Sequence, residues 1–235
     1  MSRIKLAAFA ILGLLSVPTV GRATTYDAVS SFALGPAPAS PFSYGFRIGS
    51  TGFTLYDAAT ASCAGIAGLA CNYSSSFNTN MLPAVGRNTT DALIQTGTVR
   101  VPTDELFLHP VGQNSGLPAG DTVVRFTAPS AGLYSVSGLF QILDVNASGV
   151  AVSVEGGTSA FLQALTGALN TQAAFGFSTA LAQDQTLDFV VNNAGSYNND
   201  STGLVATITS VPEPVSLAIM GAGLFGVAAL RRRRG

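Results

Sequence analysis

Between residues 24 and 210 the chain repeats one pattern: short runs in which apolar and polar residues alternate, broken by turn-forming residues. In Leu133–Ile142, the side chains of Tyr134, Val136, Phe140 and Ile142 fall on one face and Ser135, Ser137 and Gln141 on the other. Val150, Val152 and Val154 alternate with Ala151, Ser153 and Glu155; Leu187, Phe189 and Val191 form a further set, as do Leu204, Ala206 and Ile208. A period of two with β-branched and aromatic residues is the signature of half-buried strands. Further strands are expected over Phe42–Ile48, Phe53–Tyr56, Thr98–Val101, Glu105–His109, Thr122–Thr127 and Ala173–Phe177. Pro129-Ser130-Ala131-Gly132, Asn146-Ala147-Ser148-Gly149 and Gly156-Gly157 supply turns between them. About ten strands with hardly any helical period predict an all-β fold, a β-sandwich of jelly-roll type. Only Ala160–Leu169 fits a short helix as well as a strand.

The two ends follow other rules. Met1-Ser2-Arg3-Ile4-Lys5 and the apolar run Leu6–Leu15 read as a secretory signal peptide over residues 1–23, with small residues at Gly21 and Ala23 fitting a cleavage site. At the far end, Val211-Pro212-Glu213-Pro214 leads into the uncharged stretch Val215–Leu230 and then Arg231, Arg232, Arg233 and Arg234. A helix over that stretch is about 24 Å long, short of a hydrocarbon core of about 30 Å, and snorkelling arginines make up part of the difference. Four arginines held on the cytoplasmic side leave the body outside, in agreement with the signal peptide.

A Pro-Glu-Pro triplet, a short Gly- and Ala-rich apolar helix and a terminal arginine cluster together resemble the PEP-CTERM sorting tail of Gram-negative bacterial proteins, over residues 211–235. The resemblance implies recognition by exosortase, a membrane-embedded transpeptidase-like enzyme. Pro212, Glu213 and Pro214 would be the sorting motif and Arg231–Arg234 the stop-transfer signal. Two prolines forbid helix there and keep an extended peptide accessible. A second resemblance covers Glu105–Asp144. Leu106-Phe107-Leu108-His109-Pro110, Val123-Val124-Arg125-Phe126-Thr127-Ala128-Pro129 and Ala131-Gly132-Leu133-Tyr134-Ser135-Val136 are similar to a secreted jelly-roll domain common among PEP-CTERM proteins. Phe42-Ser43-Tyr44-Gly45 resembles that domain's Trp-Ser-Tyr-Gly signature, with Phe where Trp is usual.

Residues 24–210 form the domain. They hold no lysine, and Arg47, Arg87, Arg100 and Arg125 face eleven acids, so a near-neutral total charge hides an acidic body. With no basic stripe, nucleic acid is excluded as a partner; the surface repels polyanions and suits neutral ligands or cations.

Candidate chemistry is sparse. Cys63 and Cys71 are an even pair destined for an oxidising compartment, where a disulfide is expected; zinc would need four ligands, and one histidine is present. That histidine, His109, ends a Leu-rich strand and calls for packing or a backbone hydrogen bond, since no Gly-x-Ser-x-Gly elbow accompanies it. Asp104 and Glu105 are neighbours that point to opposite strand faces, which does not make a glycosidase pair. Asp144, Asn146, Ser148, Gly149 and Glu155 have EF-hand spacing but strands around them, so a polar turn is expected rather than a metal site. Asn193, Tyr197 and Asn198 lie in a polar loop; with Tyr44 they are the candidate sugar contacts, amides and aromatic rings being suited to hydroxyls and to sugar faces.

The expectation is an exported, non-enzymatic protein of the cell surface or exopolysaccharide matrix, processed by exosortase after transit through the inner membrane. It needs no cofactor and binds carbohydrate weakly. The rivals are a secreted hydrolase acting on polysaccharide and a purely structural matrix protein.

Overall fold

The structure is a computed structural model and describes residues 22–35, 41–49, 52–77, 82–111, 119–158, 160–196 and 198–212. The signal segment up to residue 21, Glu213, Pro214, the apolar stretch of the tail and Arg231–Arg234 lie outside the described residues. By its contacts the chain divides into a compact unit, Ala23–Val211, and the two terminal segments.

The compact unit is built from β1 (Thr25–Asp27), β2 (Phe42–Ile48), β3 (Thr54–Leu55), β4 (Ala58–Thr60), β5 (Leu69–Tyr73), β6 (Ala84–Asn88), β7 (Ile94–Thr96), β8 (Val99–Val101), β9 (Leu106–His109), β10 (Gly120–Thr127), β11 (Gly132–Ile142), β12 (Val150–Glu155), β13 (Phe161–Leu165), β14 (Gln172–Leu181), β15 (Thr186–Asn192) and β16 (Thr202–Val211). The stretch over Ala160–Leu169 resolves as the strand β13, paired with β12; Leu165 alone of its residues is fully buried, which is how an edge strand with one covered end behaves.

One sheet runs β14-β11-β16-β9-β6-β5-β4, with β1 also paired to β16; the other runs β13-β12-β15-β10-β2-β3; β7 and β8 form a separate ribbon. From β10 onward the chain crosses repeatedly between the two sheets, the connectivity of a jelly roll. The core fills the gap between them. Phe126 meets Tyr26, Phe42 and Tyr134 at ring separations of 5.3, 5.5 and 5.8 Å. Phe140, Phe175 and Phe189 continue the aromatic layer. The valines of β12 and the inward residues of β15 and β16 join it. Each buried ring or branched chain contributes about 1.5–3 kcal/mol, so these alternating faces hold the sandwich together.

A smaller cluster lies on the opposite face of β5, β6 and β9: Cys63, Leu69, Cys71, Ala84, Val101, Phe107 and Leu143. Cys63 and Cys71 are joined in a disulfide, with Cα atoms 5.5 Å apart. This wing of the sheet is therefore covered on both sides.

In β2, Phe42 and Tyr44 point inward and Ser43 and Gly45 outward. A side chain at Gly45 would run into the Thr54 carbonyl and the Phe53 ring. The missing Cβ lets Phe53 lie over β2, where its ring sits 4.0 Å beneath the Arg125 guanidinium. Arg125 is also gripped by Asp188 through two parallel bonds of 2.7 Å.

Candidate functional site: a cleft at the rim of the sandwich

The turn after β1 is locally encoded. The Asp27 carboxylate accepts from the Ser30 amide at 2.7 Å, and the Asp27 carbonyl accepts from the Ser31 amide. The segment then crosses the edge of the core: Ala28 and Val29 are buried, Phe32 packs on the Tyr44 ring at 5.3 Å, and Leu34 stands 48% exposed. Asn72, on β5 and 1% exposed, pins its far end. Its amide donates to the Ala33 carbonyl at 2.9 Å and accepts from the Gly35 amide at 2.8 Å.

Below this segment opens a cleft of about 430 Å³, lined by Phe32, Leu34, Arg87, Thr89, Thr90 and Thr103 with the edge of β5 and β6. Arg87 reaches it through register. On β6 it shares a face with Val85, which is wholly buried in the inter-sheet core, and it lies opposite Ala70 on β5 and Leu106 on β9. Two residues further along the strand than Val85, the same inward direction emerges at the rim. The neighbouring Asn88 has its side chain fully spent, donating to Ala92 and Val101 carbonyls and accepting from Thr90, so it shapes the wall. The Thr89 hydroxyl donates to the Gly68 carbonyl at 2.8 Å and keeps its lone pairs free to accept.

Tyr44 lies behind this cleft, 4% exposed. Its hydroxyl is directed at the Ser31 carbonyl, and burial pushes the phenol above its ordinary value. The ring that faces the opening is Phe32. Asn193 is buried and occupied internally, donating to the Val111 carbonyl at 2.9 Å and accepting from the Gly195 amide. Asn198 is exposed and offers its carbonyl to Ser148; Tyr197 lies outside the described residues. The described candidates are thus divided between a ring behind the cleft, Tyr44, and a separate loop, and none of them lines the cleft. Phe32 and Arg87 escaped the sequence reading. The available signal was parity: an arginine in phase with an inward valine, in a body with only four cations.

His109 is buried, with Nδ1 2.8 Å from the Pro110 carbonyl. Burial holds its imidazole below the ordinary value. A small cavity of about 120 Å³ beside it is shared with Asp144 and Ser201, but the geometry is not that of a triad. Nδ1 faces Pro110, and the Asp144 carboxylate accepts from the Thr98 hydroxyl at 2.6 Å and the Ser201 amide at 2.8 Å. The EF-hand-spaced residues diverge in the same way, since Glu155 pairs with Arg47 at 2.8 Å while Asp144 stays with Thr98. Among the described residues no three His, Cys, Asp or Glu side chains gather as a metal site. Pro212 is exposed, directly after β16 in the chain.

The PEP-CTERM protein-sorting motif matches residues 210–234. No curated protein matches the chain. Similar solved structures include a family 35 carbohydrate binding module from Clostridium thermocellum, 15% identical, TM-score 0.29, over 50% of this chain and 85% of that one. Another is the C-terminal CBM6 of LamC from Zobellia galactanivorans, 7% identical, TM-score 0.27, over 71% and 99%. An Arthrobacter globiformis isomalto-dextranase is 12% identical, TM-score 0.31, over 81% of this chain and only 32% of its own length. The assignment to a sandwich rests on the strand pairing above.

Proposed function

We propose that this chain, a β-sandwich whose tail carries a PEP-CTERM sorting motif, is an exported surface or matrix protein that binds glycan weakly through the rim cleft. The sorting motif is the observation that carries the export half of this reading. In this reading the segment over residues 1–23 serves as the signal peptide, the apolar stretch after Pro214 makes a short membrane passage, and exosortase processes the chain near Pro212, Glu213 and Pro214, releasing the acidic body on the outer side. The cleft supports the other half. It offers an aromatic ring, threonine hydroxyls and a guanidinium in one opening, which is the mixture of stacking face and hydrogen-bonding groups that sugars require.

Processing is tested in the producing bacterium. Glu213→Ala should leave a longer, membrane-retained form, and the intact mass of the wild-type protein should fall short of the full chain at both ends. Unchanged processing in the variant would refute the exosortase reading. Binding is tested on an array of neutral and acidic oligosaccharides, with turnover assayed in parallel. Retention of sugars without hydrolysis supports the reading, and hydrolysis lost in a His109 or Asp144 variant would replace it with the hydrolase.

A further inference from the structure

Three of the four arginines between residues 24 and 210 are settled internally. Arg47 bridges Asp121 at 3.3 Å and Glu155 at 2.8 Å. Arg125 is held by Asp188 and Phe53. Arg100 folds back onto the carbonyls of Gly97 and Val99. Arg87 is different: among the described residues its side chain has no ion pair and no hydrogen bond, although it is half-buried and an acidic body surrounds it. Among the described residues no aspartate or glutamate lines its cleft.

We propose that Arg87 makes the rim cleft a site for a carboxylate-bearing sugar, a uronic acid unit, rather than for a neutral one; this rests on the glycan-binding reading above. A guanidinium presents a planar fork of donors that matches a carboxylate in two parallel bonds, and partial burial strengthens such a pair relative to one in water. Thr89 and Thr103 are placed to meet ring hydroxyls, and Phe32, braced from behind by Tyr44, supplies an apolar face for the ring carbons. The negative charge of the rest of the body limits the occupant. A long polyanion is repelled at a distance, whereas a single acidic unit or a chain end pays little of that repulsion once salt screens it.

The test is calorimetric titration of the full chain with glucuronic acid, glucose and acetate, for the wild type, Arg87→Gln and Arg87→Lys. Thermal unfolding of each variant provides the check on folding. The expected result is binding of glucuronic acid at least about tenfold tighter than glucose, the ratio that one charge-assisted pair supplies. Arg87→Gln should abolish that preference, and Arg87→Lys, which keeps the charge but loses the fork, should retain only part of it. Equal binding of both sugars, unaffected at Arg87, overturns this inference and leaves the glycan reading intact. Acetate binding as tightly as glucuronic acid overturns it in favour of a bare anion site. Failure of glucuronic acid to bind also overturns it; the glycan reading falls with it only if the neutral oligosaccharides of the array fail too. Should Arg87→Gln unfold, the same comparison in Arg87→Lys and in Phe32→Ala decides the matter, since both must weaken glucuronic acid.

Discussion

Asn72→Ala removes the clamp on the segment that roofs the cleft. Two hydrogen bonds are lost, to the Ala33 carbonyl and from the Gly35 amide, and the methyl that replaces the amide satisfies neither. Each such bond contributes about 1 kcal/mol net, and more where the orphaned group stays dry. Leu34 is nearly half exposed, so water can reach the freed groups once the segment lifts; the cost should therefore stay near 2 kcal/mol rather than double that. In a domain of this size about 2 kcal/mol lowers Tm by roughly 4–8 °C. If only the roof detaches, the loss appears instead as faster amide exchange over residues 30–35, while β10 to β16 keep their protection. Thermal unfolding and hydrogen exchange by mass spectrometry distinguish the two. Asn72→Asp sharpens the test: its carboxylate still accepts from Gly35 but sets a buried negative charge against the Ala33 carbonyl, and should destabilise at least as much as alanine. An Asn72→Ala protein with unchanged Tm and unchanged exchange over 30–35 would refute the clamp.

Burial and the adjacent Asp104 push Glu105 up to about 7, and burial followed by Asp144 does the same for Asp200. Raised carboxyl groups bind protons in the folded state that the unfolded chain has released. Their stabilisation is complete below the unfolded values and is lost as pH rises through about 7. Tm should accordingly fall between pH 6.5 and 8, a window above the opposing effect of His109, and Glu105→Gln should flatten that slope and stabilise at pH 8; a Tm that rises with pH there contradicts the assignment. Reducing the disulfide, or Cys63→Ala with Cys71→Ala, should cost about 2–3 kcal/mol of unfolding free energy on the loop-entropy account, read by denaturant titration. Asp188→Asn should destabilise by about 2 kcal/mol, because it leaves the Arg125 guanidinium partly buried against Phe53 without its anion; an unchanged denaturation midpoint would show the pair to be ornamental.

The strands that alternate were legible because their inward positions are apolar and their outward ones polar or small, even where, as at Ser43 and Gly45 of β2, a neighbour covers the outer face. Phe42–Ile48 and Val150–Glu155 are strands over those residues, and the inward sets of β11, β12, β15 and β16 are the ones their periodicity selects. β5 and β6 were missed for a physical reason. Both faces are covered, by the main core on one side and by the disulfide cluster on the other, so Leu69-Ala70-Cys71-Asn72-Tyr73 and Ala84-Val85-Gly86-Arg87-Asn88 show no polar–apolar rhythm. β1, β4 and β7 are three residues each, too short for a period to register. The same blindness hid the cleft. Its floor belongs to β5 and β6 and its roof to a turn segment, and sequence alone does not place Phe32 above Arg87 when β6 itself carries no strand rhythm. The disulfide needed no register, only two cysteines and a compartment.

β16 occupies the interior of its sheet, with β11 along one edge and β9 and β1 sharing the other. It is also the last strand among the described residues, ending at Val211, one residue before Pro212. Until residues 202–211 have emerged, that sheet is β14-β11 on one side, β9-β6-β5-β4 on the other and β1 without a partner strand, with nothing to stitch them. A chain that emerges from its N-terminus forward therefore completes this sheet only when β16 appears, next to the sorting motif at residues 210–234.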